Sequence, residues 1–208
     1  MPISLDQQLL FVRIPNETDS EILEQLPFLT DKGHHGVSYY LDNHQGAFSK
    51  TRKFCVVRNP WDRFTLFFEQ VRDNEEYVDH ELVKDKSFAE FVQDFTENRD
   101  SYRNPAWLPQ TAWMWSEYGP IMNHIFLEDA EYLKNPQVTT INSQFETVLD
   151  LEVEVPEIDR DAALERRKNY YTDPSLVEKV SEIFKNDIDV LGYVYDVDID
   201  EVDNPSDS

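Results

Sequence analysis

A single cysteine, Cys55, stands in the whole chain, so no internal disulfide can form. Basic residues are scarce: 19 Lys and Arg against 42 Asp and Glu give a formal net charge of −23. That balance argues against general binding to nucleic acid or to a membrane surface, and it favours solubility. A long apolar run is missing too, and residues 1–8 hold no basic segment. Neither a signal peptide nor a membrane anchor is therefore expected, and the expected location is the cytoplasm. There is also no G-x-x-x-x-G-K-[ST] run, which counts against a nucleotide kinase built on the usual phosphate loop. Against these absences stand 40% hydrophobic and 13% aromatic residues, enough for a folded globule with a sizeable core.

The most informative stretch is Phe54-Cys55-Val56-Val57-Arg58-Asn59-Pro60-Trp61-Asp62-Arg63-Phe64. Its apolar start, with two β-branched residues, predicts a short buried strand. Asn59 then stands where a helix N-cap belongs, Pro60 at the first helical position, and Asp62 in the first turn. Trp61, Phe64, Phe67 or Phe68, and Val71 follow at helical spacing, which predicts one packed face. The corner sets Arg58 at the mouth of a helix N-terminus, a natural seat for a phosphate or sulfate. Lys50, Arg52, Lys53, Arg58 and Arg63 make a local basic cluster that would draw an anion against the field of the whole chain.

Val57-Arg58-Asn59-Pro60-Trp61-Asp62-Arg63 resembles the "V-R-N-P-[YW]-D-R" signature of sulfotransferases that use 3′-phosphoadenosine 5′-phosphosulfate (PAPS). The resemblance is to the Golgi carbohydrate group and its bacterial and viral relatives, and it runs patchily from Phe11 to Tyr193. It implies that Arg58 binds the 3′-phosphate of the nucleotide. A serine eight positions on, which touches the same phosphate in the family, is replaced here by Leu66 with Thr65 beside it. Gln110-Thr111-Ala112-Trp113-Met114 is similar to the family's "Q-x-x-[FYW]-[LM]". Arg166-Arg167-Lys168-Asn169-Tyr170-Tyr171 resembles its "R-x-x-Y-x-x-Y" approach to the last helix, and Arg167 or Lys168 is either a further contact to the nucleotide's phosphate or part of a solvated helix face. Asp187 to Tyr193 resembles the closing "D-x-x-x-[FL]-G-Y".

The first strand is predicted over residues 9–14, ended by Pro15, with a short helix over 20–26. Strand, tight loop and helix is the arrangement of a phosphate-binding loop. The family pattern here is "I-P-K-T-G-[GS]-T-S", which holds the 5′-phosphosulfate, so the resemblance puts Pro15, Asn16, Glu17, Thr18, Asp19 and Ser20 around that group. Asn16 takes the place of the lysine, no glycine is present, and two carboxylates enter the loop. His34 and His35 are suited to general-base work because imidazole titrates near neutral pH. The family places a histidine in this region, and the sequence leaves open which of the two it is. No compact ligand pattern accompanies His34, His35 and His44, so no metal site is expected.

Ser87 and Glu90 form a capping box before an amphipathic helix carrying Phe88, Phe91, Val92 and Phe95. A polar and aromatic loop over 98–109 is placed near the acceptor side. Trp107, Trp113 and Trp115 are either core or a flat face for a sugar ring. A strand running into a helix is predicted over 121–128, and helices over 142–149, over 159–171 and after Asp173 and Pro174. The expectation is one α/β domain over 1–195, with a small parallel central sheet flanked by helices on both faces in a P-loop-like sulfotransferase fold. An acidic, disordered tail is expected over 196–208. The expected function is transfer of a sulfuryl group from PAPS to a hydroxyl of a carbohydrate-like acceptor. The alternative is a catalytically degenerate protein of the same fold with a nucleotide-binding or structural role, because Asn16 removes a charged donor.

Overall fold

Strand β3 (Arg52–Val57) is the middle of the sheet, and every residue of it after Arg52 is buried. The structure is a computed structural model. It describes residues 3–4, 8–15, 22–26, 33–117, 119–120, 122, 124–127, 138–140 and 159–195. The expected loop at 16–20, the helix at 142–149 and the tail at 196–208 lie outside the described residues.

β2 (Leu9–Phe11) runs parallel to β3, with Phe11 opposite Phe54. The pairing carries one step further, since Val12 N–H donates to the Phe54 carbonyl at 2.8 Å. On the other side β6 (His124–Leu127) is also parallel, with Val57 opposite Leu127, and β7 (Val138–Thr140) adds a fourth parallel strand. A short β1 (Ile3–Ser4) runs antiparallel along β2 and completes the order β1-β2-β3-β6-β7. The chain is thus α/β, largely helical, around a small and mostly parallel sheet. Both faces of β2 and β3 are buried. Leu10, Cys55 and Val57 join the main core, while Leu9, Phe11, Phe54 and Val56 are buried on the opposite face. Sheets buried on both sides read as continuous apolar runs, which is why both strands were visible in the sequence.

Helix α1 (Val37–Phe48) connects β2 to β3, and helix α2 (Pro60–Asp73) leaves β3. Asn59 caps α2 as expected: its side-chain oxygen accepts from Trp61 N–H at 3.1 Å and Asp62 N–H at 3.4 Å. The first two turns of α2 are buried almost all round, including Asp62, Arg63 and Thr65. After a one-turn α3 (His80–Val83) comes α4 (Phe88–Glu97), opened by the Ser87–Glu90 capping box. The ring of Phe64 on α2 meets Phe88, Phe91, Phe95, Trp107 and Phe184 at centroid distances of 5.1–6.0 Å. This aromatic cluster binds α2 to α4 and to the carboxyl-terminal helices, each ring pair adding a little beyond its area burial.

Two short 3-10 turns, Arg99–Ser101 and Pro105–Trp107, precede α5 (Thr111–Met114) and a small β4 (Trp115–Ser116) and β5 (Gly119–Pro120) ribbon. The chain closes with α6 (Arg160–Tyr170), α7 (Pro174–Ile183) and α8 (Lys185–Leu191). Asp173 caps α7, its Oδ1 accepting from Ser175 N–H at 2.8 Å. Gly192 ends α8 at φ 77°, a left-handed conformation that favours glycine. Among the described residues no helix is long and apolar enough to cross a membrane.

Candidate functional site

Arg58 is the first residue past the end of β3, where a buried peptide still needs hydrogen-bond partners. Gln110 supplies both. Its Oε1 accepts from Arg58 N–H at 2.9 Å, and its Nε2 donates to the Arg58 carbonyl at 2.8 Å. The Arg58 side chain is also buried, and its Nε donates to Asp62 Oδ2 at 2.5 Å, one helical turn on. The other oxygen of Asp62 accepts from Arg166 Nη1 of α6 at 3.0 Å. Arg166 Nε reaches Glu69 Oε2 at 3.1 Å, and Glu69 Oε1 accepts from Tyr170 Oη at 2.8 Å. Burial, and then the neighbouring Glu69, push the Tyr170 hydroxyl above its usual pKa, so it stays a donor. One carboxylate, 1% exposed, therefore orients two guanidiniums at the mouth of α2.

The exit of β2 lies at the same end of the sheet. Pro15 is tied there by Arg63, whose Nε donates to the Pro15 carbonyl at 3.2 Å. The same guanidinium donates to the carbonyls of Leu108 at 3.2 Å and Ala106 at 2.7 Å. His34 sits beside this exit, its Nδ1 3.4 Å from the Arg13 carbonyl. A carbonyl only accepts, so Nδ1 carries the hydrogen and the lone pair of the neutral ring lies on Nε2. His35 is engaged differently, stacked on Tyr39 with ring centroids 3.9 Å apart. Pro15, His34 and Arg58 thus gather at the carboxyl ends of β2 and β3, where open parallel sheets bind ligands. Asn16, Glu17, Thr18, Asp19 and Ser20 lie outside the described residues.

The remaining sequence candidates fall elsewhere. Thr65 is fully buried, and its hydroxyl donates to the carbonyl of Asp62 at 2.8 Å inside its own helix. Leu66 is a buried apolar residue on the next position of α2. On α6, Arg167 is buried and Lys168 exposed, and it is Arg166 that reaches Asp62. The basic cluster expected around the central strand does not exist as one group. Lys50, Arg52 and Lys53 stand at the amino end of β3 and Arg58 and Arg63 beyond its carboxyl end, about 17 Å of strand apart. Lys53 is buried, its Nζ donating to the Thr51 carbonyl at 2.6 Å, and burial lowers its pKa.

Trp107 is core, with its Nε1 donating to Asp79 Oδ2 at 2.7 Å, and Trp113 is buried as well. Trp115 is half-buried and, with Pro109, Thr111, Asn186 and Val190, lines a surface hollow of about 360 Å³. Among the described residues no group of three or more His, Cys, Asp or Glu is arranged to hold a metal ion. Asp62 was expected in the first turn of the helix but not as the partner of Arg58, and Gln110, 52 positions from Arg58, was read only as the start of a family-like stretch. Searches against protein-family models, curated proteins and solved structures return no match for this chain.

Proposed function

We propose that this chain binds PAPS at the carboxyl ends of β2 and β3 in a sulfotransferase-like fold, and passes its sulfuryl group to a hydroxyl of a carbohydrate-like acceptor. The observation that carries the reading is Arg58 at the mouth of α2, within the V-R-N-P-W-D-R stretch and with Arg166 on the same carboxylate. A guanidinium suits a phosphate because it is always charged and offers paired donors in one plane. Two of them beside a helix N-terminus fit the dianionic 3′-phosphate end of the nucleotide. Bound PAPS supplies an activated sulfuryl group. His34 is the base of choice over His35, since its Nδ1–H faces the Arg13 carbonyl and its Nε2 lone pair is the one that takes the hydroxyl proton. In this reading Asn16, Thr18 and Ser20, which follow Pro15 in the sequence, are the residues that would meet the sulfonate.

A second reading is favoured by the helix: the Thr65 hydroxyl is turned into α2 and Leu66 offers no donor. In this reading, with Asn16 in place of a lysine as well, catalysis is given up while the nucleotide is still held, giving a binding protein of the same fold. Titration calorimetry with 3′-phosphoadenosine 5′-phosphate (PAP) tests the shared part. Arg58→Ala is expected to weaken binding by about ten- to a hundredfold, as loss of a charge-assisted contact does. Equal affinities of the two proteins would remove Arg58 from the site. Transfer of labelled sulfate to a carbohydrate panel then separates the two readings, and in the enzyme reading His34→Ala abolishes transfer while PAP binding stays.

A further inference from the structure

We infer that Gln110 and Asp187 are positioning residues for Arg58, forming a relay from the carboxyl-terminal helix α8 to the anion-binding corner. The inference rests on the reading of Arg58 as the phosphate ligand, and it adds what fixes that arginine in place. Gln110 is fully buried, and its amide closes a two-bond ring with the Arg58 peptide, N–H and carbonyl both. It does for Arg58 what another strand would do, at the point where β3 has left the ladder. The backbone direction at Arg58 sets the Cα–Cβ vector, and Asp62 then grips Nε. The guanidinium is thereby held at both ends of its stem.

Gln110 is itself held. Asp187 is fully buried on α8, and its Oδ2 accepts from Gln110 N–H at 2.7 Å. Its Oδ1 accepts from Thr111 N–H at 2.8 Å and from the Thr111 hydroxyl at 2.7 Å. One carboxylate thus takes three donors and satisfies the buried amides that open α5, which have no partner within the helix. A glutamine side chain has several rotatable bonds, so without a fixed backbone it would not meet both polar groups of one peptide. Asp187 supplies that fixity from 77 residues away. The arrangement is a second layer behind Arg58, of the kind that sets how well a binding group is aimed.

Three measurements test the relay. In the wild-type protein, amide hydrogen exchange should show Arg58 N–H as protected as Val57 of β3, although it lies past the strand. Fast exchange at Arg58 would overturn the inference without any variant. Gln110→Met keeps the side-chain length and removes both bonds, and is expected to weaken PAP binding about tenfold. In an Arg58→Ala background the same change should alter affinity less than about twofold, because the relay acts only through Arg58. Losses that add in full would mean that Gln110 acts on its own, and would overturn the inference.

If the wild-type protein binds no PAP, the sulfotransferase reading falls and the relay is judged on the wild-type exchange and on the Arg58 Nε–H resonance. That signal should shift or broaden in Gln110→Met and in Asp187→Asn, and stay in place in Thr111→Ser, which keeps its hydroxyl. An unchanged Arg58 signal in both Gln110→Met and Asp187→Asn would sink the relay. Should Gln110→Met fail to fold, Asp187→Asn and the wild-type exchange still decide.

Discussion

Two arginines a few residues apart have opposite employments, and composition could not tell them apart. Arg58 is held by a carboxylate at the mouth of α2, a geometry an anion can share. Arg63 is committed to the protein's own backbone, with three carbonyl acceptors from two separate segments. A lysine there keeps the charge and loses the planar fork, so it cannot serve Pro15, Leu108 and Ala106 together. Arg63→Lys is therefore expected to lower stability by about 2–3 kcal/mol, the scale of charged hydrogen bonds lost in a buried site. Urea unfolding of the two proteins measures it. A change below about 0.5 kcal/mol would mean that the carbonyls find other partners or need none.

At the scale of elements, what was local in sequence was legible. The corner from β3 to α2 announced itself through Asn59, Pro60 and Asp62, and α4 through Ser87 and Glu90. β1 and β7 were missed because β1 is two residues long and Val138–Thr140, unlike the three residues of β2, stands in no longer apolar run. The Asp187 relay was missed for another reason: the stretches that begin at Gln110 and at Asp187 were each noticed, but nothing in either says that the two residues meet. The helix α4 shows how local charge then adds to a cap. Asp94 Oδ2 accepts from Lys86 Nζ and from the Tyr102 hydroxyl, both at 2.5 Å, and Oδ1 accepts from Asn98 at 2.7 Å.

Lys86 first, then Tyr102, bring the Asp94 carboxyl down to about 2. A carboxyl depressed in the folded state adds stability that is fully present above its unfolded value of about 3.9. That stability is lost as pH falls through the folded value. The side chain is about a third exposed, so solvent screening keeps the contribution below roughly 1 kcal/mol. Asp94→Asn should therefore differ most from the wild type above about pH 4, with the gap closing towards about pH 2. Unfolding free energies of both proteins across that range measure the gap. A gap that stays constant as pH falls would exclude the ionised Lys86–Asp94 contact as its source.

The whole molecule carries −23, and its surface ion pairs do little to offset that. Arg72–Asp73, Lys84–Glu81 and Lys185–Asp189 are solvent-screened contacts of the kind that add little to stability. The Arg58–Asp62 pair is buried and so is screened far less by salt. Like charge spread over the surface repels itself and opposes compaction, and the Debye length falls from about 30 Å at 0.01 M salt to about 10 Å at 0.1 M. Screening should therefore stabilise this fold, and Tm is expected to rise with ionic strength, equally for sodium chloride and potassium chloride. Cys55 offers an independent readout. It is fully buried in β3, and burial pushes its thiol well above the usual range, so a thiol reagent reaches it only when the sheet opens. Its labelling rate should fall as salt rises, in step with the gain in Tm. A Tm that drops with added salt would mean that attractive surface pairs, not self-repulsion, set the electrostatics of this molecule.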